Sequence, residues 1–186
     1  MSALKPLGEW FGGLPQVILM DLDGTLVDSA ADIALSLNRA LADLGLGAVT
    51  EAQVRDWVGR GAARLIEVAL QHVVPHHAQD PQKHAVEARL LAAFMVRYQD
   101  SVCEASTVYP GVAEFVATAR AAGIRLACVT NKPYRPAVAL LEALNLLDAF
   151  ELVIGGDTLA HKKPHPEPLL HCLRHFEVTA AQALMV

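Results

Sequence analysis

Long apolar runs, basic clusters and a paired set of cysteines are all missing from this chain, and each absence removes a class of protein. The longest early apolar run, "LPQVILM" (14–20), is far too short to span a bilayer, so no membrane partner is expected. The N-terminal stretch carries Lys5 but is broken by Pro6, Gly8, Gly12 and Gly13, and does not read as a signal peptide. With 15 Lys+Arg against 20 Asp+Glu the formal charge is -5, and no basic patch offers a footprint for nucleic acid. Cys103, Cys128 and Cys172 are odd in number and widely separated, which fits neither a disulfide framework nor a zinc spacing. A reducing cytoplasm is the expected location. No internal repeat or low-complexity tract is present. What remains is a chain of 186 residues, 53% hydrophobic and 19% charged, enough to bury the core of one domain or of one domain with an insertion.

The apolar residues divide into two patterns. "QVILM" (16–20), "IRLACVT" (124–130), "ELVI" (151–154) and "QALMV" (182–186) are short continuous runs, as in strands buried on both faces of a parallel sheet. Helical spacing falls between the last three, at 112–122, 136–147 and 166–176, and Gly123 marks a helix stop. Strands alternating with helices predict right-handed crossovers and an α/β fold with a doubly wound, Rossmann-like parallel sheet. Residues 30 to about 105 break the rhythm, with helical patterns at 33–46, 62–73 and 84–98 and no convincing strand. Thr50 and Gln53 form a capping box ahead of "VRDWV", and "PHHAQDPQKH" (75–84) reads as a loop. The expected organisation is a core from 1–28 and 106–186, interrupted by a helical cap at 29–105.

In open α/β sheets ligands bind beyond the carboxyl ends of the strands. Asp21-Leu22-Asp23-Gly24-Thr25 follows the first strand, Thr130-Asn131 the second, and Lys163-Pro164 lies beyond the third. Together these groups suit phosphoryl transfer. One carboxylate can attack phosphorus and the other can protonate the leaving oxygen and later take a proton from water. Gly24 would let backbone N–H groups approach a phosphate, while Thr130 and Lys163 would hold its anionic oxygens. A hard divalent cation, with Mg²⁺ suited to oxygen ligands, would offset the repulsion between carboxylates and phosphate.

The residues DLDGT (21–25), VTN (129–131) and KP (163–164) resemble the haloacid dehalogenase superfamily of aspartyl phosphatases. Within it, "WVGRGAARL" (57–65), "VTNKP" (129–133), "VIGGD" (153–157) and "KKPHPEPLL" (162–170) are similar to the bacterial phosphoglycolate phosphatases, from about residue 16 to the end. The resemblance implies Asp21 as nucleophile and metal ligand, and Asp23 as general acid/base that also offers its backbone carbonyl to the metal. Thr130 and Lys163 would bind the phosphoryl group with Asn131 beside them, and the cofactor would be Mg²⁺. The implied reaction is hydrolysis of a small phosphate monoester, 2-phosphoglycolate to glycolate and phosphate. Another phosphoester or pyrophosphate hydrolase or a phosphomutase is the alternative within the superfamily.

Taken alone, Asp21 and Asp23 would make a turn or helix cap after a strand, Thr130 an ordinary strand end, and Lys163 a solvated loop lysine; their company promotes them. Lys162 competes with Lys163, but the lysine directly before Pro164 matches the family position. Asp157 reads equally as a turn or N-cap residue. His76 and His77 read as polar loop rather than metal ligands, Asp28 and Ser29 as the hinge and cap of the first inserted helix, and Trp57 as cap core. Gly59-Arg60-Gly61, two glycines around a cation just before a helix, could bend over an anionic substrate, with Arg60 or a neighbouring amide meeting its carboxylate.

The resemblance also implies an acidic GDxxxD-like loop after the fourth strand, which would complete the metal site, and then a further strand and helix. The sequence given stops at Val186, and its last acidic residue is Glu177. The expectation is a truncated version of a longer enzyme with weakened Mg²⁺ affinity, its fourth strand left as an apolar edge open to pairing or swapping with a second copy. The contrasting reading is a non-catalytic fragment.

Overall fold

The computed structural model describes Gly8 and residues 12–186, so the reading of Lys5 and Pro6 lies outside the described residues. Four strands, β1 (Val17–Met20), β4 (Arg125–Val129), β5 (Leu152–Ile154) and β6 (Ala183–Met185), form one parallel sheet in the order β5-β4-β1-β6. The chain therefore moves outward from β1 through β4 to β5, then returns to the other side of β1. That reversal opens a crevice at the carboxyl ends of the central strands.

Period-two alternation explains the layers on either face. Ile18 and Met20 of β1, with Leu126 and Cys128 of β4, pack under helices α5 (Val112–Ala121) and α6 (Tyr134–Ala143) through Val116, Ala119, Ala137, Leu140 and Leu141. Val17 and Leu19, with Ala127 and Val129, face Cys172 and Phe176 of helix α7 (Glu167–Phe176). The four expected strands are all present, with helices on both faces as a doubly wound sheet requires.

The inserted segment folds around its own apolar cluster. Helices α1 (Ala30–Asp43), α2 (Glu51–Trp57), α3 (Ala62–Val73) and α4 (Lys83–Asp100) bury Leu37, Leu41, Val54, Ile66, Leu70, Leu90 and Phe94 against one another. Trp57 packs partly buried against this cluster, and the Thr50–Gln53 capping box forms as expected. His77 is buried with its Nε2 3.1 Å from Glu87, whose other oxygen meets His84, so this loop holds a hydrogen-bonded cluster. Among the described residues no group of three His, Cys, Asp or Glu side chains is placed to hold a metal ion.

Two features absent from the sequence reading fasten the insertion. β2 (Val27–Asp28) and β3 (Thr107–Val108) pair antiparallel, bringing both crossings between the two regions side by side. Just beyond them Asp32 of α1, 1% exposed, accepts hydrogen bonds from Ala105 N–H (2.8 Å) and Ser106 N–H (2.7 Å). A buried carboxylate needs such donors, and here they tie the outgoing crossing to the returning one.

Candidate active site

The chain leaves β1 at Asp21 and turns sharply, because Leu22 C=O accepts from the N–H groups of Thr25, Leu26 and Val27. Gly24 takes φ 82° in that turn and donates its N–H to Val27 C=O at 2.9 Å. Its own amide is thus engaged within the turn, and Gly24 supplies the positive φ that the turn requires.

The turn presents two carboxylates, each with its own lysine. Asp21 Oδ2 lies 2.8 Å from Lys163 Nζ, and its Oδ1 accepts from Leu22 N–H at 2.8 Å. Asp23 accepts from Lys132 Nζ at 2.9 and 3.1 Å and from Ser29 Oγ at 2.5 Å. The expected mutual repulsion of Asp21 and Asp23 is therefore answered locally by two ammonium groups. Ser29 begins α1 as foreseen, but its hydroxyl makes no cap and turns to Asp23 instead.

Lys132 was not singled out from the sequence. Its side chain is 4% exposed and its Nζ also stands over the Tyr98 ring, 4.5 Å from the centroid. Burial alone would lower its pKa; the Asp23 carboxylate and the Tyr98 phenol outweigh that and hold it above the ordinary lysine range. Tyr98, on α4, is buried, and chiefly for that reason its phenol is pushed up to about 12. Its hydroxyl has no hydrogen-bond partner among the described residues.

The second and third motifs meet at the same crevice. Thr130 is held by its N–H to Ile154 C=O (2.9 Å), and its hydroxyl accepts from Lys132 N–H (3.1 Å). Asn131 Nδ2 donates to the carbonyls of Gly59 (2.9 Å) and Lys163 (3.1 Å), while its buried Oδ1 stays unpaired. Gly155 and Gly156 pass directly beneath this segment, and a Cβ on Gly156 would sit 2.4 Å from the Asn131 carbonyl oxygen. Asp157 then accepts from Tyr134 N–H at 2.7 Å at the start of α6, and does not line the pocket between cap and core.

The 59–61 loop of the cap lies on these core loops. Lys162 Nζ donates to Arg60 C=O at 3.2 Å, and Gly61, at φ 86°, approaches so closely that a Cβ there would fall 2.8 Å from Lys162 Nζ. The Arg60 side chain itself is exposed and does not line the pocket, so the structure does not place it where a substrate carboxylate would sit. The sharp backbone turns at Gly59 and Gly61 bring the loop's main chain inward and leave that side chain outside.

Cap and core together enclose about 490 Å³ of empty space, part of it open to solvent. Its floor is Asp21, Asp23, Thr130, Asn131 and Lys132, and its roof is the apolar set Ile33, Val58, Leu65, Phe94 and Met95 with Tyr98 among them. As a cation site, the described residues supply the Asp21 carboxylate and the Asp23 backbone carbonyl, which accepts no hydrogen bond. Both are hard oxygen donors of the kind a magnesium-like ion takes, and the Asp23 side chain, held by Lys132 and Ser29, is turned to other work.

A parallel sheet with an acidic turn at the end of β1, roofed by an inserted helical unit, defines an α/β protein with a capped carboxylate site. Comparison with known proteins makes the assignment: a model of the haloacid dehalogenase-like hydrolases matches residues 18–186, and the chain belongs to that family. It is 42% identical over 172 residues to a phosphoglycolate phosphatase of Nitrosococcus oceani, covering 92% of this chain and 75% of that protein. A phosphoglycolate phosphatase of Colwellia psychrerythraea is 43% identical over 171 residues, again with 92% and 75% covered. Among solved structures, a predicted phosphoglycolate phosphatase from Haemophilus somnus superposes with a TM-score of 0.80 at 33% identity, over 91% of this chain and 75% of that one.

Proposed function

We propose that the chain is a phosphatase acting on a small phosphate monoester, 2-phosphoglycolate, through an aspartyl phosphate on Asp21. The observation that carries this reading is the Asp21 carboxylate at the mouth of β1, 2.8 Å from Lys163 Nζ, with Asp23 two residues on in the same turn. Relatives at 42% and 43% identity that are phosphoglycolate phosphatases support the choice of ester.

The residues divide the work. An Asp21 oxygen attacks phosphorus as the bond to the glycolate oxygen breaks, and Asp23 delivers the proton that the leaving alkoxide needs. A water, deprotonated by the same Asp23 carboxylate, then attacks phosphorus, returns the Asp21 carboxylate and releases inorganic phosphate. Lys163, already beside Asp21, and the Thr130 hydroxyl offset the charge on the phosphoryl oxygens. Mg²⁺, held by the Asp21 carboxylate and the Asp23 carbonyl, would supply further charge neutralisation for the phosphoryl group. Residues 29–105 act as a cap that closes over this floor, and the apolar roof excludes bulk water during the lifetime of the acyl phosphate.

No described helix is long and apolar enough to cross a membrane, and three free cysteines, two of them buried, suit a reducing cytoplasm. The partner is the small-molecule ester itself. A second reading, a sugar phosphate, is favoured by the likeness at 27% identity and TM-score 0.74 to CbbY of Rhodobacter sphaeroides, solved with xylulose-1,5-bisphosphate. Phosphate release from a panel of esters, with Mg²⁺ added, tests both: the expected result is preference for 2-phosphoglycolate, abolished in D21N. Preference for a sugar phosphate would overturn the choice of ester, and full activity in D21N would overturn the mechanism.

A further inference from the structure

Two buried polar side chains, Lys132 and Tyr98, lie against one another beside the acidic turn. The Tyr98 hydroxyl lies in a side chain 2% exposed and has no partner among the described residues. Lys132 Nζ donates to both oxygens of Asp23 and stands over the Tyr98 ring, 4.5 Å from its centroid. Both residues line the same cavity.

We propose that Lys132 and the Tyr98 hydroxyl form the subsite for a second anionic group on the substrate, a carboxylate at the end of the ester opposite the phosphate. This rests on the reading of the site as a phosphatase and names how it would select its ester. The phosphoryl end is served by Lys163 and Thr130 beside Asp21, so a second anion needs a second cation. Lys132 is the only cation among the residues that line the cavity, since the exposed Arg60 side chain lies outside it. The neighbouring roof residues Ile33, Leu65, Phe94 and Met95 offer no competing donor. Tyr98 stays a neutral phenol at physiological pH and therefore remains a donor. The first turn of α3, whose Ala62 also lines the cavity, adds its positive end on the same side of the crevice as the 59–61 loop.

The selectivity follows from desolvation. An ester that lacks the carboxylate would leave the buried Tyr98 hydroxyl unanswered and Lys132 with Asp23 as its one carboxylate, a penalty that falls on the wrong ligand alone. Such a subsite discriminates by what it leaves unpaired, so a neutral tail of the same size should bind poorly even though it fits.

Calorimetry in a D21N background measures this without turnover, with 2-phosphoglycolate and ethyl phosphate as the two probes. The expected result is roughly tenfold or greater preference for 2-phosphoglycolate in D21N, reduced to within about twofold in D21N/K132M and lowered about threefold in D21N/Y98F. The affinity ratio is insensitive to the fraction of folded protein. The Y98F arm removes a single oxygen, so it stands even where K132M does not fold. Equal binding of the two probes by D21N, or a preference that survives both second substitutions, would overturn the subsite. Failure of the unsubstituted chain to hydrolyse 2-phosphoglycolate would count against the proposed reaction, a separate measurement from this comparison of affinities.

Discussion

The floor and the roof of the pocket are built by different rules. The floor is charged and prearranged: Asp21 with Lys163 and Asp23 with Lys132, each pair fixed by the end of a strand or the loop that follows it. The roof is apolar, carried on helices with their own cluster, and meets the floor through a few main-chain contacts at Gly59, Arg60 and Gly61. The floor is thus held by ion pairs, while among the described residues only a handful of hydrogen bonds join the roof to it. Lys132 is the exception that joins them, since its ammonium serves Asp23 below and the Tyr98 ring above.

Breaking that joint should have the largest effect on stability. K132M leaves Asp23 buried with only Ser29 as a partner, and loss of one member of a buried pair costs about 3–5 kcal/mol. A denaturant midpoint lowered accordingly, with unchanged slope, is the expected result. The same joint predicts a weakness at high pH. Tyr98 titrates near 10 in the unfolded chain but at about 12 when folded, so the unfolded state loses its proton first. Stability is therefore unaffected by this group below pH 10 and falls by roughly 2–3 kcal/mol between pH 10 and 12. Lys132, raised in the same sense, adds to the loss above the ordinary lysine pKa. Thermal melts across that range should fall less steeply in Y98F than in the unsubstituted chain.

The floor's precision can be probed apart from its charges. G156A drives a methyl into the Asn131 carbonyl, 2.4 Å away, and overpacking of this kind costs about 1–3 kcal/mol. The displaced Asn131 should also loosen its bonds to Gly59 and Lys163, so activity should fall further than stability, read as kcat against Tm. R60A is expected to have the smallest effect, within about 0.5 kcal/mol in stability and with little change in KM, because that side chain is exposed on the outer side of the loop. A large rise in KM would return Arg60 to the substrate and weaken the contrast between a main-chain roof and a side-chain floor.

Much of the floor was readable in one dimension because its residues sit at strand ends, where hydrophobic runs stop abruptly at polar groups. Asp21, Asp23 and Thr130 are of this kind, and the four strands themselves were located to within a residue or two. The helical spacing noted at 33–46 falls within one turn of α1, whose start at Ala30 agrees with the reading of Ser29 as its cap position. Strands β2 and β3 are two residues each, too short to show any period. Nothing in the neighbours of Lys132 reveals that Asp23, 109 positions away, is its partner. Tyr98 carried the apolar spacing of a core helix, which it also satisfies; only the folded chain shows its unpaired oxygen in the pocket.

The account's central claim is that Asp21 carries the phosphoryl group. Turnover of 2-phosphoglycolate quenched in acid, followed by mass spectrometry of the peptide that spans β1 and the acidic turn, tests it directly. The account predicts one added phosphoryl group on Asp21, absent from D21N and absent without substrate. A phosphoryl group on any other residue, or none at all during active turnover, would contradict it.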